Sequence, residues 1–125
     1  MKLMELPNFF VGIDIVEVDR INKLISKTGE LFKNKVFTTL EQKYCESKSS
    51  PGIHYAGRFA AKESIIKAIK SSGYNNPIPL KDIEILPSET GAPIVDLHFA
   101  IKCECKVSIS HTESYATATA LCTQK

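Results

Sequence analysis

Tryptophan is absent from this sequence, so its aromatic packing rests on six Phe and four Tyr. Long hydrophobic runs are missing too. The first apolar stretch, Phe9 to Ile13, is ended by Asp14, far short of the roughly 18 apolar residues that a membrane-spanning helix needs. The start of the chain lacks a secretory signature: Glu5 and Pro7 interrupt it, and no small-residue cleavage site follows. These absences exclude a membrane segment and imply a cytoplasmic chain. Cysteine is sparse, at positions 45, 103, 105 and 122. A disulfide framework would need an export signal and denser cysteines, so the expectation is reduced, partly buried thiols. No C-x-x-C pair exists and the three His are scattered, which argues against a zinc site. An excess of one charge is lacking as well. The 16 basic and 14 acidic residues leave a net charge of +2, which does not call for nucleic acid. It leaves room for a local basic patch facing an anionic partner.

What remains is an ordinary globular composition, 43% hydrophobic and 24% charged. A length of 125 residues suits one domain, 1–125, around one core. Residues 9–13 read as a strand, with Asp14 where it ends. From Val16 to about Thr28 the period turns helical, with Val18, Ile21, Leu24 and Ile25 on one side. Gly29 is a plausible stop. Arg20, Lys23 and Lys27 form a basic stripe on the other side. Thr38 or Thr39 can cap a short helix over 40–46. Residues 47–52 and 72–79 are loops by composition. Between them lies the strongest helix, His54 to about Ser71, rich in alanine. The last third reads as strands over 83–86, 94–99, 103–110 and 115–122, with turns at 87–93 and 111–114. The class is α+β, with early helices packed on a mainly antiparallel sheet.

Three places carry residues suited to chemistry. On the long helix, Arg58 and Lys62 are four apart, as are Glu63 and Lys67, so each pair shares a side. Such a helix is ordinarily a solvated one with an unremarkable Glu–Lys pair. It is also where a carboxylate could hold a hard cation beside a lysine that holds phosphate. The alanines at 60, 61 and 68 would let another segment or a ligand approach closely. Asp14, after the apolar strand, would by itself be a helix cap, as would Glu17. Yet Mg²⁺ needs only one or two protein carboxylates, its other positions going to water and substrate phosphates. His111, before a turn, would by itself be a surface residue; as a phosphate ligand it would donate a hydrogen bond. Ser110 and His111 are neighbours in a strand, so their side chains diverge and no Ser-His-Asp arrangement forms.

Taken together, the residues resemble a known family. V-G-I-D-I-V-E-V-D-R-I (11–21), V-F-T-T-L-E-Q-K-Y-C (36–45), Y-A-G-R-F-A-A-K-E-S-I-I-K-A (55–68), D-I-E-I (82–85) and V-S-I-S-H-T-E-S-Y-A-T-A (107–118) are similar to the holo-acyl-carrier-protein synthases, the small bacterial 4′-phosphopantetheinyl transferases. The resemblance spans nearly the whole chain in order and spacing. It implies transfer of the 4′-phosphopantetheine arm of coenzyme A to a serine of an acyl carrier protein, with Mg²⁺ and release of 3′,5′-ADP. Asp14 and Glu63 would hold Mg²⁺ on the pyrophosphate, and Lys67 would contact that pyrophosphate too. These three form the expected catalytic set, with Glu63 the candidate acceptor of the serine proton. Arg58 and His111 would address the phosphates of the nucleotide end. Arg20 would meet the acidic carrier protein, with Lys23 and Lys27 extending its stripe by charge. A homotrimer with sites at subunit interfaces is implied as well. Two departures from the family stand out. Gly91-Ala92-Pro93 replaces a frequent G-K-P, and Ile69-Lys70-Ser71-Ser72-Gly73 replaces a short hydrophobic-G-T-G turn.

Two other functions compete. Asp, Glu and Lys also occur in Mg²⁺-dependent nucleases, but those place Glu-x-Lys on a strand, whereas Glu63 and Lys67 sit in a helical pattern. A module binding carrier protein or RNA through the basic stripe would have no need of Asp14 and Glu63 together.

Overall fold

A computed structural model describes residues 8–125; the readings of Glu5 and Pro7 lie outside them. The chain runs β1 (Phe9–Glu17), α1 (Val18–Thr28), α2 (Glu30–Val36), α3 (Thr39–Glu46) and α4 (Pro51–Ser71). A 3-10 turn at Leu80–Asp82 then leads to β2 (Ile83–Pro87), β3 (Pro93–Leu97), β4 (Cys103–His111) and β5 (Tyr115–Gln124). Helices early and antiparallel strands late give the expected α+β class. β1, β5 and β4 form one antiparallel sheet in that order, and β2 pairs with β3 in a separate ribbon. No helix among the described residues is long and apolar enough to cross a membrane.

The core lies between the three-stranded sheet and α4. Every second residue of β1 turns inward, and Gly12, Asp14 and Val16 pair with Ala120, Ala118 and Ala116 of β5. Those alanines, buried on the strand, meet a helix that itself carries buried Ala56, Ala60, Ala61 and Ala68. Small residues on both sides let backbones come close. At Gly12 a Cβ would collide with the Ser64 carbonyl, so only glycine fits there. The alanines of the long helix thus seat the sheet rather than a ligand.

Local signals explain the other elements. Gly29, at φ +59°, ends α1 with its N–H on the Ile25 carbonyl at 2.8 Å and begins α2, a helix the hydrophobic period did not predict. α3 opens on a capping box: Thr38 accepts from the Glu41 N–H, while the Glu41 carboxylate accepts from the Thr38 N–H. α4 starts at Pro51, earlier than the composition of 47–52 suggested, because proline suits the first helical turn.

Three sequence expectations are corrected. Asp14 lies within β1, not at its end. Glu17 holds the N-cap position of α1 but makes no side-chain cap bond. Arg58 and Lys62 are buried rather than solvated. Lys62 donates to Glu41 Oε1 at 2.7 Å and to the carbonyls of Val36, Leu80 and Ile83. Glu41 also accepts from the Ile85 N–H at 2.8 Å. One fully buried ion pair therefore ties α2, α3, α4 and β2 together, with its polar atoms satisfied as burial demands. The thiol expectation changes as well: Cys105 and Cys122 face each other across β4 and β5 and are disulfide-bonded. Cys45 and Cys103 are free.

Candidate active site

Helix α4 carries two groups of functional side chains. The first gathers around Asp14. Lys67 Nζ donates to Asp14 Oδ1 and to the Ile13 carbonyl, each at 3.0 Å. Glu63, one turn earlier on α4, faces the same carboxylate. Burial first, and then the charge of Asp14, push the Glu63 carboxyl above its ordinary range, against the opposite pull of Lys67, Arg20 and Lys70. A buried carboxylate beside a second one is an arrangement that a divalent cation would relieve. The donor set fits Mg²⁺, which needs only one or two such oxygens. Strand β1 and helix α4 thus bring together the three residues that spacing alone could not.

The second group lines a cleft of about 470 Å³ between α4, the end of β4 and the Gly91–Pro93 turn. Arg58 is 6% exposed. Its guanidinium lies 4.0 Å from the centroid of the Tyr44 ring, a cation–π arrangement that orients it. Its Nε is buried without a partner among the described residues, a donor that an anionic acceptor would satisfy. His111, the last residue of β4, stands across from it. Gly57, beside Arg58, touches that strand: a Cβ there would come within 3.1 Å of Ile109. Ala92, the departure noted above, lines this cleft without adding charge.

The two groups lie on opposite flanks of α4, one toward β1 and the other toward β4: Glu63 and Lys67 stand about 140° and 180° around the helix axis from Arg58. Glu63 lies five residues beyond Arg58 on α4, about 7–8 Å along the axis. Across the sheet, Ile109 pairs with Ala118, which pairs with Asp14. His111 is two residues farther along β4, which puts it roughly 12 Å from Asp14 by strand spacing. Two groups at this separation suit a ligand with phosphates at separated points.

The basic stripe on α1 is not brought into either group as a whole. Arg20 lies near enough to Glu63 for its charge to favour the ionised carboxylate. Lys23 is paired with Asp19 at 2.9 Å on the open surface. A shallow groove beside it is lined by Glu17, Asp19, Arg20, Lys23 and Lys27, so acids interrupt the stripe. Two cleft residues escaped the sequence reading, Tyr44 and His54. The i, i+4 spacing of His54 and Arg58 was the available signal for the second. A separate cluster, Glu84, Asp96 and His98, lies on the β2–β3 ribbon. It is not the expected metal set, and Glu84 already accepts from Thr38 at 2.6 Å.

A family model described as the 4′-phosphopantetheinyl transferase superfamily matches residues 10–120. The chain belongs to this superfamily. Among curated transferases it is similar to the holo-[acyl-carrier-protein] synthase of Protochlamydia amoebophila, 43% identical over 89% of this chain and 94% of that protein. A solved structure titled as the Chronobacterium ammoniagenes ACPS–CoA complex superposes with a TM-score of 0.82 at 32% identity, covering 94% of this chain and 98% of that one. A holo-(acyl-carrier-protein) synthase from Bacillus anthracis in complex with CoA (3′,5′-ADP) gives 0.78 at 29% identity, over 93% and 96%. Within a superfamily of transferases, the carboxylate–lysine group and the cationic cleft are the candidate active site.

Proposed function

We propose that this transferase moves the 4′-phosphopantetheine arm of coenzyme A onto a serine of an apo acyl carrier protein and releases 3′,5′-ADP. The observation that carries the reading is the pair of groups that α4 holds, Asp14, Glu63 and Lys67 on one flank and Arg58 and His111 on the other. The first suits a pyrophosphate with its cation and the second a phosphate, the two features of such a donor. The relatives named as holo-[acyl-carrier-protein] synthases, and the solved structures titled as coenzyme A complexes, support it.

In this reading Arg58 and His111 bind the phosphate at the nucleotide end, and Lys67 binds the pyrophosphate. Asp14 and Glu63 would hold Mg²⁺. When bound, that ion supplies positive charge where phosphoryl transfer builds negative charge. The carrier serine attacks the β-phosphate, and the bond from that phosphorus to the oxygen of the departing 3′,5′-ADP breaks. Glu63 would accept the serine proton, directly or through a water. Arg20, beside this centre, would meet the carrier protein, with Lys23 and Lys27 extending that surface.

The single domain of residues 1–125 would act in the cytoplasm as a homotrimer, without membrane or nucleic acid. Support for assembly comes from the outer side of β1. Phe9, Val11, Ile13 and Ile15 all project there, exposed by 39–66%, and Leu121 of β5 pairs with Val11. An apolar row on an edge strand is rarely left to water.

The test is direct. Apo carrier protein, coenzyme A and Mg²⁺ are incubated with the protein, and the carrier is weighed by mass spectrometry. It should gain one phosphopantetheine arm, and the gain should vanish when chelator replaces Mg²⁺. A carrier of unchanged mass in the complete mixture would overturn the proposal in favour of a binding module.

A further inference from the structure

His54 stands in the cationic cleft with no part in the scheme above. It precedes Arg58 by one turn of α4. Its ring centroid lies 5.9 Å from that of His111 and 5.9 Å from that of Tyr44. The groups whose positive charge would oppose its protonation are Arg58 from its own helix, His111 from the end of β4, and Lys48 from the turn after α3. Lys48 is itself held over the Tyr44 ring, 4.8 Å from the centroid. The Gly91–Pro93 turn, which closes the cleft, brings no charge. Burial first, and then these cations, hold the imidazole below its ordinary range in the free protein.

An anion seated in the cleft reverses that field. A phosphate monoester carries up to two negative charges and offers acceptor oxygens, and a protonated imidazole donates from both ring nitrogens. Arg58 is the one permanently charged side chain that lines the cleft among the described residues, which leaves the second charge to the imidazoles beside it. We propose that His54 is a phosphate-facing residue of this cleft, which takes up a proton as the monoester end of the ligand binds and gives it back on release. The inference rests on the coenzyme A reading and names the 3′-phosphate as the group sensed. Its consequence follows from linkage. The proton is bound more tightly in the complex than in the free protein, so affinity must rise as pH falls between the two pKa values of His54.

Calorimetric titration tests this with coenzyme A and with 3′-dephospho-coenzyme A, which lacks the monoester. Each is titrated between pH 6 and 8, in buffers of different ionisation enthalpy, into wild type, His54→Gln and His54→Phe. Phe preserves the ring packing, and Gln preserves a donor without titrating. Wild type should take up a fraction of a proton with coenzyme A and bind it several-fold more tightly at pH 6 than at pH 8. Both variants should lose part of the uptake and flatten the pH dependence, with Gln binding more tightly than Phe. The monoester's own proton, with a pKa near 6, enters equally for all three proteins and cancels in the comparison. With the dephospho compound the three should coincide. Variants that match wild type in uptake and pH dependence overturn the role of His54 alone. Wild type that binds neither compound overturns the coenzyme A reading, and this inference with it.

Discussion

Lys67 bonds the carboxylate of Asp14 and the carbonyl of Ile13 at the same distance, 3.0 Å. One ammonium thus fixes the edge of α4 to β1 at the point where the strand contributes its acid. Glu63 shares that acid's field and is itself partly buried, and the cost of its charge falls on the fold.

That cost can be measured. In metal-free protein the Glu63 carboxyl is held above its ordinary value near 4.5. The folded state therefore binds the proton more tightly than the unfolded chain, and ionised Glu63 destabilises the fold. The penalty is complete above the folded pKa and absent below the unfolded one. Glu63→Gln should raise the melting temperature at pH 7 in chelator, with the gain fading as pH falls toward 4. It should also cut transfer by about a hundredfold or more, the scale of a lost charge-stabilising group. Added Mg²⁺ should raise the melting temperature of wild type by mass action and leave Glu63→Gln unmoved. A variant that melts at or below wild type at pH 7, or still responds to Mg²⁺, would refute the assignment.

The buried pair of Lys62 and Glu41 makes a different demand. Both side chains are fully buried, and the ammonium holds three carbonyls besides its acid. Lys62→Met leaves Glu41 charged and without its cation, at a cost of about 3–5 kcal/mol. Urea unfolding measures this. A loss under about 1 kcal/mol would refute that demand.

The parts of this fold that local patterns dictate were legible. The capping box at Thr38 and Glu41, the alanine-rich helix and the β4–β5 hairpin follow from neighbours in sequence. So did the candidate site, though through family resemblance more than through spacing, since no local rule says that Asp14 meets Lys67. What escaped depends on distant partners. Lys62 looked like a surface lysine because its acid lies 21 residues away. Tyr44 and His54 become cleft residues only when α3 and the end of β4 close on α4. α2 was missed because it has seven residues and one fully buried side chain, Val36, too short for a period to show. The Cys105–Cys122 bond needs the register of β4 on β5, which composition does not contain.

The outer side of β1 offers a test of assembly away from the site. Val11 and Leu121 are cross-strand partners, 54% and 44% exposed. Val11→Lys and Leu121→Lys should be tolerated in the isolated chain, because neither side chain enters the core. Combined, they should convert a trimer to a monomer in sedimentation velocity. Transfer should fall with the trimer if subunit interfaces complete the site. A double variant that stays trimeric moves the interface elsewhere, and wild type that sediments as an active monomer removes it.

The surface of α1 offers the sharpest separation of binding from chemistry. The charge of Arg20 is felt at Glu63, whereas Lys27 stands about two turns farther along the helix, in the outer groove. Acyl carrier proteins are acidic, so both cations should attract one. Exposed pairs contribute about 0–1 kcal/mol each, yet several together steer encounter, and salt screens that steering over roughly 8–10 Å. Lys27→Glu should raise the KM for carrier protein several-fold and leave kcat and the KM for coenzyme A unchanged. Arg20→Glu should raise the carrier KM more and lower kcat as well, because it removes a positive charge that favours ionised Glu63. Lys23→Glu should do least, since Asp19 already neutralises Lys23 at 2.9 Å. Raising the salt concentration should weaken wild type toward carrier protein and affect the reversed variants less. If carrier KM and its salt dependence are untouched in Lys27→Glu and Arg20→Glu alike, α1 is a solvated face, and the carrier docks around another basic group such as Lys33 and Lys35.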